Sequence, residues 1–526
     1  MTPVLTAQAM READRRTIED FGLPGFTLME TAGRGAADAI ARTYGPIDGK
    51  RITVFCGKGN NGGDGLVVAR VLYDRGAHLR VVLLAGADAM TEDAAHNLRL
   101  LEALARQDAD GRLALPRFES LTQVAAFTPP DLYVDALLGT GLTSALRPPL
   151  DGLVNWLNDQ PQPTVALDVP TGLHSDTGTV LGTAVRASMT VTMAAAKAGL
   201  LIGDGPEHAG RVEVISIGIP RFVLDEAAGH PGCAWQPDDA TITGWMPQRD
   251  RHAHKYSVGL ALVLGGSPGL TGAPVMASLA AARIGAGFVT CACASSIQPV
   301  LALKMTAITT LALPETADGG LDPDAALAAL APRLEKARAL LVGPGLGRHP
   351  ATQTFIRRLL TRTDLPTVID ADGLNALAGH LDDLAEQAAG RWILTPHAGE
   401  FRRLAGTDAD LTDRIRTVQT CARRWNSVLL LKGLPGLVGT PDGRVYLNPT
   451  GNPAVATAGT GDVLAGLCVG LLAQGLPPAR AAVAALYAGG AAADAYTTHR
   501  HPHTMTPLDL LEELPRVLHT RFRPLT

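Results

Sequence analysis

Charge is scarce in this chain: 18% of its 526 residues are Asp, Glu, Lys or Arg, the formal net charge is −5, and long basic runs are few. A nucleic acid is therefore not expected as the main partner. Cysteine is scarcer still. The six (Cys56, Cys233, Cys291, Cys293, Cys421, Cys468) show no C-x-x-C spacing. Cys291 and Cys293, two apart in an expected strand, share a face without being placed to bridge each other. A reduced, cytoplasmic chain is the expectation. No collagen-like or low-complexity period organises the 57 glycines and 36 prolines; they fit the many short loops of an α/β protein. A signal peptide is not expected, because Arg11, Glu12, Asp14, Arg15 and Arg16 come where its apolar region should be. Two uncharged stretches, 256–282 and 284–303, exceed the roughly 18 residues that suggest a membrane span. Gly265-Gly266-Ser267-Pro268-Gly269 and Pro274 break the first, and Ser295, Ser296, Gln298 and Pro299 interrupt the second. Buried strand, loop and helix are expected there, and no membrane segment.

What the chain does have is apolar bulk, at 46% of residues, and a length that allows two large domains or three small ones at roughly 150 residues each. Residues 7–44 read as helical, stopped by Gly45-Pro46. Apolar strands at 52–56, 78–84, 132–137, 165–167, 190–193 and 212–217 follow, with helices expected at 66–75 and 93–107. A second series has strands at 259–264, 288–293, 340–342, 367–369, 392–394 and 428–431, with helices at 272–284, 352–360, 462–472 and 478–497. Continuous rather than alternating hydrophobicity means strands buried on both faces, hence parallel sheets between helices. The irregular stretch 222–251 is expected to be a linker, and there is no internal repeat. Each half reads as its own doubly wound α/β unit.

Three loops of the first half carry polar groups after apolar strands. Gly57-Lys58-Gly59-Asn60-Asn61-Gly62-Gly63-Asp64-Gly65 satisfies G-x-G-x-x-G between strand and helix. The acidic residue a dehydrogenase needs after the next strand is missing, since Leu83-Leu84-Ala85-Gly86 stands there. Val134-Asp135-Ala136-Leu137-Leu138-Gly139-Thr140-Gly141 and Leu167-Asp168-Val169-Pro170-Thr171-Gly172 are the other two. Ligands gather beyond the carboxyl ends of parallel strands. Convergence there would make Asn61, Asp135 and Thr171 hard oxygen ligands for an alkali or alkaline-earth cation, leaving Asp168 for proton transfer.

These residues closely resemble the NAD(P)HX epimerase family over about residues 1–225. The resemblance implies a Rossmann-like α/β/α domain that interconverts the R and S epimers of hydrated NADH and NADPH. It places the substrate at Asn60, Asn61, Gly62, Gly63 and Asp64, at Gly139, Thr140, Gly141, Leu142, Thr143, Ser144 and Ala145, and at Asp168, the candidate acid/base. Potassium would be held by Asn61, Asp135 and Thr171, with Thr171 standing where serine is usual.

In the second half, Gly459-Thr460-Gly461-Asp462 runs into an apolar helical stretch. Glycines at a helix N-terminus let amides gather around an anion. An aspartate in that place fits a general base that takes a proton from a hydroxyl while the amides hold the phosphoryl. Other strand-end loops accompany it: Gly265–Ser267 with Thr271–Ala273, Gly343–Gly347, Asp370–Asn375, Thr395–Glu400 and Lys432-Gly433. Asp370 and Asp372 suit magnesium or a hydroxyl network, and Lys432 could offset phosphate charge. This half resembles the ADP-dependent NAD(P)HX dehydratases, a ribokinase-like α/β family, over about residues 240–520; we set the domain at 240–526. The resemblance puts the hydrated nucleotide at Ala273, Gly345, His397 and Asp462, and the adenine nucleotide at Lys432, Gly433, Leu434, Pro435, Gly436 and Gly461. Tyr256 replaces a glycine common after His-Lys, and Gly436 stands where a hydroxyl residue is frequent. The histidines His252/His254 and His499/His501/His503 read as exposed loop rather than a metal site.

The expectation is a bifunctional enzyme of nicotinamide-nucleotide repair, using K+, Mg2+ and ADP, homo-oligomeric and cytoplasmic. The alternative is a small-molecule kinase of the hydroxyethylthiazole type fused to a non-catalytic nucleotide-binding module. The 395–400 stretch, the intact Asp168 and the complete cation-ligand set argue against it.

Overall fold

The computed structural model describes residues 1–406 and 409–522, and the chain divides into two compact units, Pro3–Ala234 and Trp235–Thr526 with Met1–Thr2. In the first, strands β1 (Thr2–Leu5), β2 (Arg51–Cys56), β3 (His78–Leu83), β4 (Leu113–Ala114), β5 (Leu132–Ala136), β6 (Thr164–Leu167), β7 (Met189–Met193), β8 (Ala196–Lys197) and β9 (Arg211–Ile215) alternate with helices. Seven form one sheet in the order β4-β3-β2-β5-β6-β7-β9. All its pairings are parallel. The order reverses between β2 and β5, and a crevice opens at such a switch point. The central strands are buried along their length, as continuous apolar runs require. This is the Rossmann-like α/β/α arrangement expected.

The amino-terminal helix expected at 7–44 is two: α1 (Ala7–Glu19) and α2 (Gly25–Tyr44). Gly22, at φ 71°, and Pro24, the residue capping α2, turn the chain between them. Thr6 caps α1 through its hydroxyl. The helix expected from 66 begins earlier, so α3 (Asn60–Asp74) takes in the glycine loop itself. The expected helix at 93–107 is α4 (Glu92–Ala105).

In the second unit, β10 (Ala234–Gln236), β11 (Leu260–Leu264), β12 (Phe288–Ala294), β13 (Thr309–Leu313), β14 (Ala339–Val342), β15 (Thr367–Ile369), β16 (Trp392–Leu394), β17 (Val428–Leu431), β18 (Leu437–Gly439) and β19 (Val445–Leu447) build a sheet. It runs β13-β12-β11-β14-β15-β16-β17-β18-β19-β10. It is parallel from β13 to β17, then antiparallel through β18 and β19, in keeping with the ribokinase-like α/β expectation. The stretch expected to be an irregular linker holds a helix (Arg221–Ala227), β10 and a second helix (Asp239–Trp245) capped by the Asp238 carboxylate. The uncharged stretches form strands and helices such as Gly272–Arg283. Among the described residues no helix is long and apolar enough to cross a membrane. All six cysteines are buried.

Candidate functional sites

A cavity of about 580 Å³ opens at the switch point of the first unit. Asn60, Asn61, Asp64, Gly139, Thr140, Gly141, Leu142 and Asp168 line it, as do Asp14 of α1 and Lys197 of β8. Gly62 and Gly63 do not line it. A Cβ on Gly62 would fall 2.0 Å from the Gly57 carbonyl oxygen, and one on Gly63 would fall 2.5 Å from Met29 Sδ. Both positions let α3 pack closely against the loop and α2. Thr143, Ser144 and Ala145 are exposed in the loop beyond and also stand outside the lining.

Asp168 ends β6 in the left-handed region, at φ 63°. Its Oδ1 accepts from Lys197 Nζ at 2.5 Å and Thr192 Oγ1 at 3.2 Å. Lys197 is 1% exposed. Its ammonium is the positive charge facing three carboxyls. Burial pushes the Asp14 carboxyl up to about 6, with Lys197 opposing and Asp168 adding. Burial, then Asp168, hold Asp64 well above the carboxylate range, with Lys197 opposing.

Asn61, which lines this cavity, and Thr171 both bond the Leu138 backbone, and Thr171 in turn bonds Asp135. The Thr171 hydroxyl donates to Asp135 Oδ1 at 2.7 Å, and its amide donates to Oδ2 at 2.8 Å. Asn61 Nδ2 donates to the Leu138 carbonyl at 3.0 Å, while Asn61 Oδ1 is buried with no hydrogen-bond partner. An orphaned buried acceptor costs roughly 1–3 kcal/mol. Asp135, which is fully buried, has its carboxyl pushed up to about 6 by that burial, against the Thr171 hydrogen bonds. An oxygen-rich nook with one unsatisfied oxygen and one poorly solvated carboxylate suits a cation without histidine or cysteine ligands.

In the second unit, the helix Thr460–Ala473 starts at Gly459, whose φ of 98° needs a residue without a Cβ, and no side chain caps it. The Thr460 amide donates to the Thr457 carbonyl at 3.3 Å, and no side chain takes the amides that follow it. Asp462 lies in that first turn. Burial pushes its carboxyl up to about 7, with Asp370 adding and Lys432 opposing. Lys432 Nζ donates to Asp370 Oδ1 at 2.6 Å, and Thr395 Oγ1 donates to the same oxygen at 2.8 Å. Burial works against the Lys432 ammonium, yet Asp370, then Glu400 and Asp462, hold its pKa above the usual lysine range. The position a Gly461 Cβ would take is 3.1 Å from Lys432 Nζ. Lysine, amides and aspartate thus share one corner.

Gly345 adjoins Ala273, its would-be Cβ lying 3.4 Å from the alanine Cβ. His397 caps its helix, Nδ1 accepting from the Gly399 amide at 3.0 Å while the Glu400 carboxylate returns a bond to the His397 amide at 3.0 Å. Gly433, Leu434, Pro435 and Gly436 follow β17, with Arg414 bonded to the Pro435 carbonyl at 2.9 Å. A Cβ at Gly436 would fall 2.9 Å from Leu486, a crowding that fits glycine where a hydroxyl residue is frequent. Asp372 accepts from the Gly347 amide at 2.8 Å and from Asn375 at 3.1 Å. The Asp370–Asn375 turn is therefore a hydrogen-bonded network. Among the described residues no cluster of three or more His, Cys, Asp or Glu is placed to hold a metal. His254 caps a short helix, and His499 lies 3.1 Å from Glu513.

Sequence reasoning missed Lys197, Asp14 and Thr192. Lys197 carried a signal, being the one charge within the apolar run 194–202. Asp14 hides among the surface charges of α1.

Residues 261–516 match the NAD(P)H-hydrate dehydratase family model, and residues 25–199 match the model for the YjeF-related protein N-terminus. The bifunctional NAD(P)H-hydrate repair enzyme Nnr of Salinibacter ruber is 58% identical over 524 residues, 99% of this chain and 97% of the relative. The protein of the same name from Moorella thermoacetica is 43% identical over 525 residues, 98% and 96% of the two chains. A solved ADP/ATP-dependent NAD(P)H-hydrate dehydratase from Bacillus subtilis, co-crystallised with ATP and Mg2+, is 31% identical at a TM-score of 0.46, covering 55% of this chain and 99% of that one. With full-length relatives of that identity and both family models in one chain, the protein belongs to the bifunctional NAD(P)H-hydrate repair enzyme family.

Proposed function

We infer that the chain repairs hydrated nicotinamide nucleotides by two activities. Residues 1–225 form an epimerase domain that interconverts the R and S epimers of hydrated NADH and NADPH. Residues 240–526 form a dehydratase domain that returns the S form to NADH or NADPH at the expense of ADP, giving AMP and phosphate; positions 407, 408 and 523–526 of that span lie outside the described residues. The observation that carries the reading is Asp462, a half-buried carboxyl whose proton affinity is raised to about 7 in the first turn of an uncapped helix beside Lys432.

The chemistry follows from that corner. A ring hydroxyl at C6 is a poor leaving group. Asp462 as carboxylate takes the hydroxyl proton while the oxygen attacks the terminal phosphorus of ADP, whose bond to AMP breaks. The amides of Gly459 and Gly461 and the Lys432 ammonium steady the charge; one such donor is worth about 3 kcal/mol of barrier. The phosphate ester then leaves C6 as a proton leaves C5, restoring the dihydropyridine ring. Ala273, Gly345 and His397 would hold the hydrated nucleotide, and Lys432, Gly433, Leu434, Pro435, Gly436 and Gly461 the adenine nucleotide. Asp370 and Asp372 are taken up by Lys432, Thr395, Gly347 and Asn375. They do not fit Mg2+, which would travel on the nucleotide's own phosphates.

In the first unit, Asp168 would move the proton at C6, with Asn60, Asn61, Asp64 and the loop Gly139–Leu142 around the substrate. K+ would be held by Asn61, Asp135 and Thr171, a reading supported by the partnerless Asn61 Oδ1 and the buried Asp135 carboxyl. The ion would neutralise Asp135 and tie the three loops together. Self-association and a cytoplasmic setting belong to the same proposal, the latter supported by how few the cysteines are and by the absence of any C-x-x-C spacing among them.

The test is incubation with hydrated NADH and ADP, following ring absorbance, AMP and phosphate. Equal yields of the three are expected. A small-molecule kinase would keep the phosphoryl on its product and restore no ring.

A further inference from the structure

Lys197 lines the epimerisation cavity but has no hydrogen left for a substrate. An ammonium carries three donors, and all three are engaged. Nζ reaches Asp168 Oδ1 at 2.5 Å, the Met193 carbonyl at 2.8 Å and Thr192 Oγ1 at 3.1 Å. Thr192 closes the ring by donating to Asp168 Oδ1 at 3.2 Å, and the Met193 amide adds a long contact to the same oxygen at 3.5 Å. The three contacts to the Asp168 carboxylate, from Lys197, Thr192 and the Met193 amide, all fall on Oδ1. Among the described residues no hydrogen bond reaches Oδ2, which lies 3.4 Å from where a Gly139 Cβ would stand, on the side of the loop that lines the cavity.

The backbone is bent to achieve this. Asp168 and Ala194 both sit in the left-handed region, at φ 63° and 64°, on the ends of neighbouring strands β6 and β7. Non-glycine residues held there mark positions the surrounding structure over-determines. The Ala194 turn brings the chain back so that β8 can pair with β1, Leu5 opposite Lys197, with the lysine side chain returning to the end of β7.

We propose that Lys197 is a positioning residue for epimerisation: with Thr192 it clamps Asp168 by Oδ1, leaving Oδ2 as the single oxygen that exchanges the proton with the substrate. This rests on the assignment of Asp168 as the acid/base. Lys197 acts through the aspartate and never touches the reacting atoms.

The experiment measures kcat and KM for conversion of the R epimer in the full chain. Lys197→Met keeps length and packing but removes the charge. It should lower kcat about 100-fold, within the range of a positioned acid/base, with KM changed less than about threefold. Lys197→Arg, which keeps the charge, should recover at least about a tenth of the lost rate. Thr192→Val, nearly isosteric, should lower kcat about tenfold with KM again held; it decides the matter alone if Lys197→Met does not fold. The proposal is overturned if Lys197→Met retains kcat within about threefold, if Met and Arg variants lose equally, or if the loss in Thr192→Val lies in KM. Wild-type conversion by Asp168→Asn would instead remove the base assignment itself, whatever the lysine variants do.

Discussion

At the scale of single residues the two sites use carboxyls in opposite ways. Asp168 is paired with a buried lysine at 2.5 Å, whereas Asp462 is pushed towards its neutral form by burial and by Asp370. Only ionised Asp462 can take a proton. The kcat/KM of dehydration should therefore fall about tenfold per pH unit below about 7, and level off above it. The stability effect has the other sign. A carboxyl whose folded pKa is raised stabilises most fully below its ordinary range, and that contribution is lost as pH rises through about 7. Asp462→Asn should abolish the dehydration and flatten this part of the melting-temperature profile between about pH 4 and 7; a profile unchanged in the mutant would contradict the burial argument. Lys432→Ala should weaken adenine-nucleotide binding by calorimetry more than it weakens binding of the hydrated cofactor. Equal losses would take Lys432 away from the phosphates. Asp168 was legible because it follows an apolar strand, where a parallel sheet opens its crevice, and Asp462 because glycines precede it at the start of an apolar helix. Lys197 was not, because its partner lies on a different strand end and only the left-handed turn at Ala194 brings the two together.

At the scale of elements, the glycine loop after β2 does two jobs. Asn60, Asn61 and Asp64 face the cavity, while Gly62 and Gly63 let α3 begin inside the loop and pack against it. Gly62→Ala should therefore destabilise the first unit by about 1–3 kcal/mol through overpacking, since its Cβ would overlap the Gly57 carbonyl. Gly59→Ala, with open space around it, should cost less, and thermal melts of the two compare them. Long apolar strands were readable because burial on both faces leaves no alternation to misread. The break between α1 and α2 was not, since the helical pattern on either side is strong and only Gly22 and Pro24 mark the turn. Nor was the order within 222–251, whose helices are one or two turns long and whose strand is three residues. Segments that short are held by packing and capping, not by a periodicity a sequence displays.

At the scale of the whole molecule, the account joins two chemistries in one chain, because a dehydratase that accepts one epimer strands the other. With Asp168 and Asp462 as the proposed proton-handling groups of the two units, the activities should separate by single substitutions that keep size and shape. The most direct measurement is the time course of ring restoration on a mixture of R and S hydrated NADH with excess ADP, with the epimer ratio followed in parallel. The wild-type protein should consume both epimers. Asp168→Asn should show the fast phase at full amplitude and rate, then a slow phase no faster than spontaneous exchange. Asp462→Asn should restore no ring yet still bring the epimers to equilibrium. A slow phase in Asp168→Asn that matches the wild type, or ring restoration by Asp462→Asn, would contradict the division of labour between the two units.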